Sequence, residues 1–129
     1  LEETEIEMKI ATGVDLIEID RIQTVIARHG SRYLQRVFTP AEIELCANRP
    51  ESLAVRFAAK EAVVKALGTG IGEVSWQDVE ILNDAERAPS LRLHGAAEAR
   101  AAALGLTDWS VSLSHSLSHA IAMVVGVGN

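Results

Sequence analysis

Arg56, Lys60, Glu61 and Lys65 fall together in Arg56-Phe-Ala-Ala-Lys-Glu-Ala-Val-Val-Lys65, a stretch whose spacing predicts a helix. Three cations and one carboxylate among small apolar residues suit an anionic ligand. At 100° per residue, Arg56 and Lys60 are like-charged i,i+4 neighbours, a pairing that repels by roughly 0.2–0.5 kcal/mol. Glu61 falls about 40° from Phe57, at the edge of the apolar stripe, with Lys65 one turn further on. Stability alone gives no reason to crowd cations beside a half-buried acid. An anionic ligand held with a metal ion does.

Asp15 is a second acid, placed after a glycine at the end of a predicted strand. It reads either as an acid favouring the macrodipole of the helix that starts near Glu18 or as a carboxylate facing a ligand. Together with Glu61 it suits Mg²⁺, which takes one or two carboxylates, several waters and phosphate oxygens. Glu61 with Lys65 also reads as a plain i,i+4 salt bridge, and Arg56 with Lys60 as a solvated face. Gly68, Gly70 and Gly72 either cap the helix or bring backbone N–H groups to a phosphate. No Gly-Lys-Ser/Thr follows them, so there is no Walker loop. His115 and His119 have the H-x-x-x-H spacing, which aligns metal ligands on a helix but not across a strand, turn and strand. His115 reads as a hydrogen-bonded core or ligand-contact residue.

These residues need elements to hold them. Lys9–Ile17 reads as a strand interrupted at Gly13. From Glu18 a helix runs to about His29, with Ile19, Ile22, Val25 and Ile26 at helical spacing, and Gly30 ends it. Thr39-Pro40-Ala41-Glu42 starts another helix, with Thr39 as N-cap, Pro40 at the first helical position and Glu42 three residues after the cap. Ser52 is the expected N-cap of the long helix, which reaches Leu67. Val79–Leu82 and Leu91–Leu93 read as short strands, and Ala96–Leu104 as an alanine-rich helix closed by Gly105. Trp109–His115 alternates, and His119–Val127 is expected to pair with it as a hairpin. Strands and helices without regular alternation predict an α+β fold with a mainly antiparallel sheet packed on the long central helix. Residues 1–8 read as an N-terminal extension, disordered or left from expression, and 9–129 as a single domain.

Composition narrows the function classes. The chain has 129 residues, enough for one modest core, and 48% of them are apolar. A net charge of −6 argues against non-specific nucleic-acid binding. Positive charge is nevertheless clustered at Arg21, Arg28, Arg32 and Arg36, which suits a specific acidic partner. The single Cys46 excludes an internal disulfide and fits a reducing compartment. No apolar run approaches the roughly 20 residues of a membrane span. The acidic start lacks the order of a signal peptide, so the expected location is cytoplasmic.

Three segments together resemble the bacterial holo-[acyl-carrier-protein] synthase family, the small 4′-phosphopantetheinyl transferases. Thr12-Gly-Val-Asp-Leu-Ile-Glu-Ile-Asp-Arg-Ile22 is similar to the family's N-terminal motif. Arg56-Phe-Ala-Ala-Lys-Glu-Ala62 with Lys65-Ala-Leu-Gly-Thr-Gly70 resembles its central signature, and Val111-Ser-Leu-Ser-His115 its C-terminal strand. Val55 and His119 depart from the pattern, where Gly and Tyr are common. The resemblance implies transfer of phosphopantetheine from coenzyme A to a serine of acyl carrier protein, in fatty-acid biosynthesis, with release of adenosine 3′,5′-bisphosphate. It implies Asp15 and Glu61 as Mg²⁺ ligands and Lys65 as the charge on the diphosphate, with Glu61 also orienting or deprotonating the serine through a water. Arg56, Lys60, Gly68, Gly70 and His115 would contact coenzyme A. Arg21, Arg28 and Arg32 would bind the carrier protein, and a homotrimer would place its active sites between subunits.

Overall fold

The computed structural model describes residues 7–129. Of the extension read over 1–8, all but Glu7 and Met8 lies outside the described residues. The chain order is β1 (Lys9–Glu18), α1 (Ile19–His29), α2 (Ser31–Val37), α3 (Pro40–Cys46), α4 (Pro50–Leu67), a 3-10 turn (Trp76–Asp78), β2 (Val79–Asn83), β3 (Pro89–Leu93), α5 (Gly95–Leu104), β4 (Asp108–His115) and β5 (His119–Gly128). Strands β1, β5 and β4 form an antiparallel sheet in that order, and β2 pairs with β3 in a separate hairpin. The α+β class and the antiparallel sheet agree with the expectation from sequence.

Helix α4 is the centre of the molecule. Ala58, Ala59 and Ala62 have no exposed surface, and their small side chains let α4 lie close on the sheet. Gly13 on β1 completes that approach: a Cβ there would stand 1.8 Å from the carbonyl oxygen of Ala62. Ala120, Ala122 and Val124 of β5 face the helix and are fully buried.

Register sorts the sheet into two faces. Asp15 pairs with Ala122, and Ala122 with Leu113, so these three residues share the face toward α4. The opposite face carries Ile10, Val14, Leu16, Ile121 and Met123, exposed by 62%, 52%, 62%, 40% and 50%. Alternation correctly marks β1 as a strand, but its apolar Ile10 and Val14 turn away from the core.

Local signals account for most element ends. Thr39 and Glu42 form the expected capping box at the start of α3. Gly30 adopts a φ of 56°, and its N–H donates to Ile26, ending α1. Helix α4 begins earlier than expected, at Pro50 with Arg49 as N-cap; Ser52 lies in its first turn. Proline is suited to the first turn, where its missing N–H is not needed. Helix α2 and the 3-10 turn are additions to the sequence reading, since neither is long enough to show a period of its own.

Candidate active site

Asp15 reaches the long helix because β1 runs directly over it at Gly13. Lys65 Nζ donates to Asp15 Oδ1 and to the carbonyl of Val14, both at 3.0 Å. The expected Glu61–Lys65 pair is thereby corrected: Lys65 turns across to β1, where two oxygens accept from it. The macrodipole role for Asp15 is also set aside, since Asp15 lies within β1 and the first-turn acid of α1 is Asp20.

Glu61 stands one turn before Lys65 on α4 and is half-buried. Burial pushes its carboxyl above the usual range, and the charge on Asp15 adds to the shift, while Lys65 opposes it. Asp15 and Glu61 open onto one cleft of about 500 Å³ between β1, α1, α2, α4 and the 3-10 turn. Arg21 and Arg36 add positive charge to its wall, and Tyr33, Phe57 and Trp76 an aromatic surface. The rings of Phe57 and Trp76 lie 5.0 Å apart, tilted by 31°. Burial pushes the Tyr33 phenol up to about 12. Sequence reasoning missed Tyr33, Phe57 and Trp76, because their convergence depends on long-range packing.

Lys60 is a correction. Its side chain has no exposed surface, and Nζ donates to Glu42 Oε1 at 2.7 Å and to the carbonyls of Trp76 and Val79. Glu42 Oε2 in turn accepts from the N–H of Ile81 at 3.0 Å. The ammonium is therefore matched inside the protein, between α3, α4 and β2, and does not reach a ligand. Arg56 is only 6% exposed and braces α4 to β2, with Nε donating to Ile81 and Nη1 to Ser52. Its Nη2 lies 3.3 Å from Asn83 Oδ1, leaving that outer edge toward the surface. The like-charged pair that the helix spacing exposed is thus held apart by separate internal acceptors.

Gly68 takes a left-handed φ of 68°, and its N–H donates to Lys65 and Val64, so it serves as a helix cap. Gly70 lies just beyond, in open surroundings. His115 is exposed at the end of β4 and is not among the residues lining the cleft. His119 starts β5, its Nδ1 2.8 Å from Ser118 Oγ. Arg28 and Arg32 are exposed on α1 and α2, and Arg21 is exposed at the cleft. Among the described residues no three His, Cys, Asp or Glu side chains come together as a metal cluster.

A family model described as the 4′-phosphopantetheinyl transferase superfamily matches residues 11–123. A holo-[acyl-carrier-protein] synthase of Herpetosiphon aurantiacus is 54% identical over 126 residues, covering 92% of this chain and 99% of its own length. Among solved structures, the Helicobacter pylori holo-[acyl-carrier-protein] synthase in complex with coenzyme A is similar with a TM-score of 0.81 and 35% identity, over 89% of this chain and 98% of that one. The Bacillus anthracis synthase, in complex with CoA (3′,5′-ADP), has a TM-score of 0.77 and 32% identity, over 95% of this chain and all of that one.

Proposed function

The chain belongs to the 4′-phosphopantetheinyl transferase superfamily, and we propose from that premise that it transfers 4′-phosphopantetheine from coenzyme A to a serine hydroxyl of apo-acyl carrier protein. The observation that carries this reading is the opening of Asp15 and Glu61 onto one cleft, with Lys65 bonded to Asp15 across the Gly13–Ala62 contact.

In the reaction the serine oxygen bonds to the phosphorus bearing the pantetheine. The diphosphate P–O bond breaks, its electron pair leaves with adenosine 3′,5′-bisphosphate, and the serine proton is taken up. Glu61 is the group assigned to that proton, because burial and Asp15 make its carboxylate more basic than an ordinary glutamate. The Lys65 ammonium, 54% exposed, is placed to offer a point charge to the diphosphate.

The donor set also suits a hard dication: two carboxylates near enough for Asp15 to raise the pKa of Glu61, with open cleft for water and phosphate oxygens. Asp15 and Glu61 would hold Mg²⁺, which when bound offsets charge on the diphosphate during attack. Gly68, Gly70, His115 and the outer edge of Arg56 are assigned to coenzyme A. Arg21, Arg28 and Arg32 are assigned to the acidic carrier, where complementary charge speeds encounter.

The uncovered apolar face of the β1-β5-β4 sheet is assigned to further copies of this chain in a homotrimer. His115, away from its own cleft, then serves the site of a neighbouring subunit. Residues 9–129 act as a single domain, and the role is in cytoplasmic fatty-acid biosynthesis. The buried, unpaired Cys46 agrees with a reducing compartment. Among the described residues no helix is long and apolar enough to cross a membrane.

The test is incubation with coenzyme A, Mg²⁺ and apo-acyl carrier protein, followed by intact mass. The carrier should gain one phosphopantetheine unit, and excess EDTA should stop the gain. Full turnover in EDTA overturns the metal assignment, and no mass gain on any carrier overturns the transferase.

A further inference from the structure

Two adjacent residues, Trp76 and Gln77, tie opposite walls of the cleft to one short turn. On the α4 side, the Trp76 ring rests on Phe57, one turn before Glu61, and its carbonyl accepts from Lys60 Nζ at 3.1 Å. On the α2 side, Gln77 Nε2 donates to the carbonyls of Gln35 and Phe38, the latter at 3.0 Å. A carboxamide has two N–H bonds, and both go to the C-terminal end of α2.

Helix α2 depends on such a tie. Its seven residues are too few to hold a helix in water unaided. It follows Gly30 at a left-handed φ of 56°, with no side-chain cap at its start. Its last carbonyls have no partner within the helix. Yet α2 presents Tyr33 and Arg36 to the cleft, opposite Phe57 and Glu61.

We propose that Gln77 is a positioning residue: by holding the end of α2 it sets where Tyr33 and Arg36 stand, and so sets affinity for the acidic carrier protein without entering the transfer step. This rests on the transferase reading above. Gln77 itself is half-buried behind the wall and is not among the residues lining the cleft.

Gln77→Met keeps the length of the side chain and removes both donors. Two lost hydrogen bonds correspond to a rise of about 5–30-fold in KM for apo-carrier, with kcat and KM for coenzyme A within about twofold of wild type. Arg36→Ala should also weaken carrier binding, and adding Gln77→Met to it should raise KM by less than the product of the single effects. Equal loss in kcat, a matching change in KM for coenzyme A, or full multiplicativity would overturn the proposal.

Hydrogen exchange of the protein alone is the second readout. The α2 amides should exchange about tenfold faster in Gln77→Met while α4 amides stay protected; uniform acceleration of both helices overturns the proposal. Because exchange needs no turnover, it separates failure of this tie from failure of the transferase, which the wild-type mass assay reports. Should Gln77→Met not fold, Gln77→Asn, shorter by one methylene, takes its place under the same outcomes.

Discussion

The surroundings of Glu61 disfavour its charged form. Burial and Asp15 both favour its protonated form, and the Lys65 ammonium makes its close contact with Asp15 instead. Folding of the ligand-free protein therefore takes up a proton at Glu61 between the ordinary glutamate range and its raised value. That contribution is fully present below the ordinary range and is lost as pH rises through the raised value. Glu61→Gln removes the conflict, so the thermal midpoint of the metal-free protein at neutral pH should rise. Transfer by the same variant should fall by about 10²–10⁴-fold. Calorimetry across pH and the intact-mass assay check the two halves, and a midpoint unchanged at every pH would show that the carboxylate is at ease. Asp15→Asn should lose transfer to the same degree with little change in the midpoint, because an exposed ion pair with Lys65 is worth about 0–1 kcal/mol. Both acids were legible in the sequence by type and setting. The partner of Lys65 was not, because i,i+4 spacing points to Glu61 and only the crossing of β1 over α4 offers Asp15.

At the scale of elements, two devices place these residues. The first is the contact of Gly13 with Ala62. Any side chain at Gly13 would meet backbone, which cannot rotate away, so Gly13→Ala should force β1 and α4 apart at the cost of about 3 kcal/mol. Denaturant unfolding measures the loss, and transfer should fall with it as Asp15 withdraws from Lys65. The second device is the buried Lys60–Glu42 pair with its carbonyl acceptors. Lys60→Met leaves Glu42 charged and unpaired in the interior and should cost about 3–5 kcal/mol, whereas Lys60→Met with Glu42→Leu should recover most of it. A double variant no more stable than the single one would show that the pair is more than matched charge. The capping box at Thr39 and the glycine end at Gly30 were readable because caps are local chemistry. Helix α2 and the 3-10 turn, seven and three residues long, were not, because packing and Gln77 hold them in place.

For the whole molecule, the decisive surface is the outer face of the β1-β5-β4 sheet. Ile10→Glu with Met123→Lys places charge on it away from the core and the cleft, both side chains being at least half exposed. The homotrimer reading expects this variant to remain folded by circular dichroism, to sediment as a monomer, and to lose activity as the shared sites come apart. Sharing has its own test. Glu61→Gln and His115→Ala proteins, each inactive alone, should regain activity when exchanged into mixed oligomers. No recovery after verified exchange would mean that both residues act within one subunit. The sequence identified Lys9–Ile17 as a strand, but it cannot say which face is covered, since apolar residues on a face turned to another chain look the same in sequence as core.

By itself the sequence determined the α+β class and most of the elements, and offered the two acids and Lys65 as a chemical set, because periodicity, caps and residue type are local properties of the chain. Tertiary structure decided which charges are free to act. Lys60 stands beside Glu61 in sequence and looks like a ligand cation, but it is matched inside the protein, by Glu42 and Val79, 18 and 19 residues away, whereas Arg56, bonded to Ile81 through Nε, keeps its outer edge. Lys65 is left exposed beside Asp15 because β1 passes close enough, at a residue with no side chain, to bring Asp15 to it. A charge's role depends on the distance and burial of its partners, and those are set only when distant segments pack.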